Sequence, residues 1–205
     1  RCVAASEADC RASQRCDLGG RCSWRADTCV AASEADCAAI CERFGYCSVV
    51  AARCALVSDA DCARSGACRE LGRCTKRGAS CIPASDDDCG RSSGCTAEGR
   101  CHAGERGFCI PSEAGCRASA ACRRDGLCAA VESWSDGDAF LRCLPESDAD
   151  CQASEGCRSD GACHRNQSNE ACVAASDADC RRATACAQSG RCVARNDACV
   201  VGGKP

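Results

Sequence analysis

Cysteine spacing constrains this chain more than any other feature. Twenty-nine cysteines stand among 205 residues, on one repeating interval, Cys-x7-Cys-x5-Cys-x5-Cys. Cys2, Cys10, Cys16 and Cys22 set the interval, which returns at Cys54, Cys62, Cys68, Cys74 and at Cys81, Cys89, Cys95, Cys101. It recurs from Cys143 and from Cys172, and the copies opening at Cys29 and Cys109 each shorten one gap. Cys199 then opens an eighth copy that ends six residues later. A period of about 27 residues overrides the usual expectation of one or two conventional domains.

The repeats read as residues 1–28, 29–53, 54–80, 81–108, 109–142, 143–171 and 172–198, with 199–205 a truncated eighth. Leu, Ile, Val and Phe together number only 22, too few for an ordinary apolar core. Without cysteines such a composition would predict disorder. With them it predicts a disulfide scaffold, in which each crosslink stabilises by about 2–4 kcal/mol.

Metal binding is the competing use of so many thiols. Zinc sites draw on close pairs such as Cys-x2-Cys, whereas the shortest separation here is from Cys37 to Cys41. Haem attachment would need Cys-x-x-Cys-His, and neither Cys101-His102 nor Cys163-His164 has the upstream cysteine. Disulfides are therefore expected, and with them an oxidising, extracytoplasmic location. The chain opens inside a repeat, so any signal peptide is expected to be removed or to lie outside this sequence.

Each repeat spells a helix start. Ser6 is followed three residues later by Asp9, a capping box. The serine recurs as Ser33, Ser58, Ser85, Ser112, Ser147 and Ser176, with an acidic residue directly after each. A glycine four residues past the third cysteine, from Gly20 to Gly190, marks the expected stop after about three turns. The connectors carry turn residues and read as two short extended pieces around a turn. The expected fold is an elongated array of seven small disulfide-rich units, each a short capped helix with a hairpin arm.

Along a continuous helix Cys10 and Cys16 would lie about 9 Å apart, beyond disulfide reach. Within a repeat this leaves first with second and third with fourth, or the crossed alternative. The invariant third-to-fourth interval favours local pairs: Cys2 with Cys10, Cys16 with Cys22, Cys54 with Cys62, Cys68 with Cys74. Pairing between adjacent copies stays open, because sequence does not settle connectivity. Local pairing leaves Cys199 over, as a mark of truncation, an intermolecular crosslink, or part of a terminal cap.

No catalytic constellation stands out, since the cysteines are committed to crosslinks, and no cofactor or metal is expected. The Ser-Asp-Ala-Asp runs could suggest calcium, but capping accounts for each position. Asp136-Gly137-Asp138 is too short for an EF-hand loop. His102 and His164, one residue after a fourth cysteine, stand where other copies carry Ser, Thr, Ala or Val and read as solvent-facing. Asn166-Gln167-Ser168 matches a glycosylation sequon, meaningful only in a suitable host. The net charge of −3, with scattered basic residues, gives no nucleic-acid stripe, and no apolar run reaches transmembrane length.

The fifth repeat carries an insertion, residues 129–142, that concentrates Trp134 and Phe140. It can serve as a partner-binding loop or cover an exposed seam of the array. Other protein chains, including copies of this one, are the expected partners. The run Ser-Asp-Ala-Asp-Cys…Cys-x-x-x-Gly-x-Cys, with its variant from Asp36 to Cys47, resembles cysteine-rich repeats of secreted or cell-surface proteins of myxobacterial type. That resemblance covers essentially the whole chain and implies an extracellular or outer-surface setting without implying an activity. The reading is an extracellular structural rod, stalk or filament subunit, with a secreted adhesin or multi-headed inhibitor as the alternative.

Overall fold

In a computed structural model the described residues are 5–135, 138–168 and 170–202. Contacts divide the chain into two compact units, residues 1–93 with 103–109, and residues 94–102 with 110–205. Both are built from one motif: short helices, then a two-stranded antiparallel hairpin that leads into the next copy. The chain is thus an array of small disulfide-rich repeats.

The helical stretch of most repeats is two helices where one was expected. In the first repeat they are Glu7–Arg11 and Gln14–Gly19, and in the third Asp59–Arg64 and Gly66–Leu71. The chain turns extended three residues past the second cysteine, at a serine in most repeats and at Ala183 in the seventh. Ser13, Ser65, Ser119 and Ser154 adopt extended backbone and accept from the N–H three residues on, starting a new helix. Each of these hydroxyls also donates to the carbonyl of the second cysteine, at 2.7 Å from Ser65 to Cys62. One residue therefore closes the first helix, its N–H and hydroxyl both donating to the cysteine carbonyl, and its hydroxyl oxygen accepts from an N–H at the start of the next.

The expected caps hold where a helix follows. Ser6, Ser85, Ser112 and Ser176 each accept from the N–H three residues on, and capping boxes close at Ser58, Ser147 and Ser176. Ser33 is the exception. Residues 34–37 form a turn, and the single helix of the second repeat, Ala38–Phe44, begins after Cys37 without a side-chain cap. The glycines from Gly20 to Gly190 all take positive φ at the helix ends.

Hairpins such as Ser23–Arg25 with Thr28–Val30 pair three residues on each side. Their tips turn through two left-handed residues, Ala26 and Asp27 in the first and Asn196 and Asp197 in the last. This is the turn that matches strand twist. In the fifth repeat the strands lengthen to seven residues, Ala129–Ser135 and Asp138–Leu144.

The core is mostly sulfur. The second cysteine of every repeat, from Cys10 to Cys180, is 0% exposed, and Ser65, Ser92, Ser119 and Ser154 are buried beside them. Large apolar side chains such as Leu18, Phe44 and Phe108 are exposed instead.

Candidate functional site: the junction between repeats

The disulfides define the junction. Third and fourth cysteines pair locally, as Cys16 with Cys22 and Cys68 with Cys74. Second cysteines pair with the first cysteine of the following repeat, as Cys10 with Cys29, Cys37 with Cys54 and Cys62 with Cys81. The expected pairs of Cys2 with Cys10 and Cys54 with Cys62 therefore do not form. The hairpin is the physical reason. Its tight turn carries the chain back, so Cys29 returns beside the helix holding Cys10, with a Cα separation of 5.4 Å.

Cys199 is no leftover: it bonds Cys180 and closes the seventh loop. Every cysteine among the described residues is disulfide-bonded. Cys2 lies outside them.

Every inter-repeat disulfide after that of Cys10 with Cys29 rests on a glycine from one repeat earlier. A Cβ at Gly45 would stand 2.6 Å from Cys81 Sγ, and at Gly126 it would stand 2.7 Å from Cys172 Sγ. Gly20 meets Cys54, Gly72 meets Cys109 and Gly99 meets Cys143 in the same way. The Cys109 and Cys143 sulfurs lie 3.1 and 3.0 Å from the carbonyl oxygens of Leu71 and Glu98. Three successive repeats thus meet at one seat: a glycine, a second cysteine and a first cysteine. At Gly190 no described atom lies within 4 Å of the corresponding position.

Carboxylates from two positions complete most of the junctions. The capping-box aspartate takes a hydroxyl from the residue after the preceding repeat's fourth cysteine: Ser23 to Asp36 at 3.0 Å, Ser48 to Asp61 at 2.8 Å, Thr75 to Asp88 at 3.0 Å. Asp61 is 2% exposed. Burial alone would raise its pKa, but bonds from the Val57 and Ser58 N–H groups, the Ser48 hydroxyl and Arg64 outweigh it and hold the carboxyl below its ordinary value. Asp36 is lowered likewise, its N–H donors Ala32 and Ser33 and the Ser23 hydroxyl overcoming burial.

The acidic residue after the cap serine reaches the hairpin 17 residues on in six of the repeats, while Glu34 of the second pairs with Arg64. Glu7 accepts from Trp24 N–H at 2.8 Å, Glu113 from Ala130 at 3.0 Å and Asp148 from Arg165 at 2.7 Å. These backbone bonds are the leading cause of the lowered pKa of all three. These acids thus tie the hairpin to the helix start besides complementing the helix dipole, a second role that no local sequence signal marks.

His164 sits at the hydroxyl position, so it is not simply solvent-facing. Its Nδ1 is 3.1 Å from Asp148 and its Nε2 is 3.4 Å from Asp179 of the next repeat. Asn166 donates to Asp197 at 2.9 Å and accepts from Ser168 N–H. Among the described residues no group of three or more His, Cys, Asp or Glu could hold a metal ion. None of their helices is long and apolar enough to cross a membrane.

The insertion is the long hairpin. Phe140 is 41% and Leu141 is 36% exposed. The backbone of Trp134 pairs with Ala139, but its side chain lies outside the described residues, as do Asp136 and Gly137. A groove at the hairpin's base is lined by Pro111, Ala121, Leu127 and Leu141, with Arg100 and Arg142 at its rim. Both arginines are already paired, with Glu98 and Glu170.

A scan against protein-family models finds no match, and no curated protein or solved structure matches the chain.

Proposed function

We propose that this protein is an extracellular structural spacer: a disulfide-stapled rod, stalk or filament subunit without catalytic activity. The observation that carries the reading is the joining of consecutive repeats by a buried disulfide seated on a third repeat's glycine. Such a junction holds each repeat against its neighbours, and arrays of this kind extend along one axis. So dense a use of disulfides is typical of proteins kept in oxidising surroundings, which supports secretion or display on the outer surface. The likeness to myxobacterial surface repeats points the same way.

Small-angle scattering of the purified, oxidised chain tests the proposal. An extended particle is expected, and a compact sphere of this mass would overturn it.

The long hairpin favours a second reading, recognition of another protein through Phe140 and Leu141. Phe140→Ala with Leu141→Ala should then abolish capture of one specific surface protein while leaving the scattering profile unchanged. The inhibitor form of this reading is the weaker one. Arg25 is directly followed by two left-handed residues, Ala26 and Asp27, whereas a serine protease binds an extended segment on both sides of the bond it attacks.

A further inference from the structure

The disulfide pattern divides the chain into closed loops and open segments. The outer bonds close residues 10–29, 37–54, 62–81, 89–109, 116–143, 151–172 and 180–199, and none of these loops overlaps another. The segments between them, 30–36, 55–61, 82–88, 110–115, 144–150 and 173–179, are spanned by no described disulfide. One covalent path therefore runs from Cys10 to Cys199. It crosses each outer disulfide and follows the peptide chain only through the open segments.

Basic residues are partitioned by this path. Every Lys and Arg except Arg1 and Lys204 lies inside a closed loop, and the open segments contain none. All the open segments carry acidic residues, as Glu34 and Asp36 do in the first and Glu113 does in the fourth. Helix-start electrostatics account for the carboxylates. They do not account for the missing cations at the apolar starts of the segments, such as Val30-Ala31-Ala32.

We infer that the protein remains one covalent molecule from Cys10 to Cys199 under attack by proteases that cut after Arg or Lys. Each hydrolysis breaks one peptide C–N bond and adds one water across it. Every such bond within the array is bypassed by an outer disulfide. Complete digestion can release inner pieces, such as residues 16–25 after cuts at Arg15 and Arg25, because only Cys16 with Cys22 ties that piece together. The path itself is untouched. A protease that cuts beside acidic residues meets the opposite arrangement, since one cut in an open segment divides the molecule. The inference deepens the structural reading and rests on it for its biological meaning.

The test digests the oxidised full chain with trypsin until reduction shows cleavage, then measures mass without reduction. One species carrying both the Cys10 and the Cys199 peptides is expected, collapsing to small peptides on reduction. A protease cutting beside Glu and Asp should separate those peptides without any reductant. Ala32→Arg places a cleavable bond at an exposed position of the first open segment and should make trypsin divide the molecule in two. Separation of the Cys10 and Cys199 peptides from the unsubstituted chain by trypsin would overturn the inference, as would an undivided A32R product. Scattering from a compact particle would sink the spacer reading and leave this result standing.

Discussion

Gly161 leaves the space that the sulfur of Cys199 occupies: a Cβ at position 161 would stand 2.7 Å from Cys199 Sγ. The same glycine has φ of 76°, so substitution meets both a backbone and a steric barrier. Gly161→Ala is expected to destabilise the last two repeats by about 2–3 kcal/mol. Gly90→Ala is the control, since Gly90 lies in a helix with nothing within 4 Å, and should be neutral or slightly stabilising. Hydrogen exchange at the hairpins would separate the two outcomes.

The second serine of each repeat offers a reciprocal pair of changes. Ser65 is 0% exposed and bonds Cys68 N–H at 3.1 Å and the Cys62 carbonyl at 2.7 Å. Ser65→Ala should cost about 1–2 kcal/mol. Ala183 occupies the equivalent register, is 3% exposed and caps nothing. Ala183→Ser should stabilise the seventh repeat by up to about 1 kcal/mol, read as slower exchange of the Cys186 amide.

Acid should loosen the junctions before it breaks any covalent bond. The carboxyls of Asp36 and Asp61 are held below the ordinary value of an aspartate in the folded chain, where their N–H and hydroxyl donors outweigh burial. Their contribution is thus full above that value and is lost as pH falls through the lower folded pKa. Exchange protection of the Val57 and Ser58 amides, which bond Asp61 at 2.7 and 3.1 Å, should persist at neutral pH and fade in that acid window. In Asp61→Asn it should be weak at both.

Connectivity can be checked by mass spectrometry of fragments made without reduction. Cys199 should be found joined to Cys180, and Cys29 to Cys10. Replacing Cys180 and Cys199 together by alanine opens a loop whose ends are 19 residues apart and should cost about 3 kcal/mol, lowering the melting temperature of the seventh repeat alone.

The parts of this fold that were legible in the sequence are those set by local chemistry. Ser6 with Asp9 declared a helix start, Gly20 declared a stop, and the constant interval from Cys16 to Cys22 travelled with a local bond. The break at Ser13 was hidden because a serine three residues past Cys10 reads as an ordinary mid-helix residue. Its double bonding becomes visible only when the helix bends there. The longer bonds were obscured for a related reason. The interval from Cys2 to Cys10 resembles a short closed loop, yet the hairpin returns each first cysteine to the repeat before it. The connector reads as a turn between extended pieces, but its turn residues do not say which helix the returning strand lies against, and that contact is what brings Cys29 to Cys10. No local signal marks the seat at Gly161, which meets a cysteine two repeats further on.

The closed loops also decide how the array would respond to being pulled. Tension entering at Cys10 leaves through Cys29, across a Cα separation of 5.4 Å, so the helices and hairpin within the loop carry none of it. Only the open segments can stretch, each to a cysteine-to-cysteine span of at most about 27 Å. The array would yield a little at every junction and then stiffen abruptly, with most of its contour held in reserve. Reduction, rather than load, is what would release the remainder.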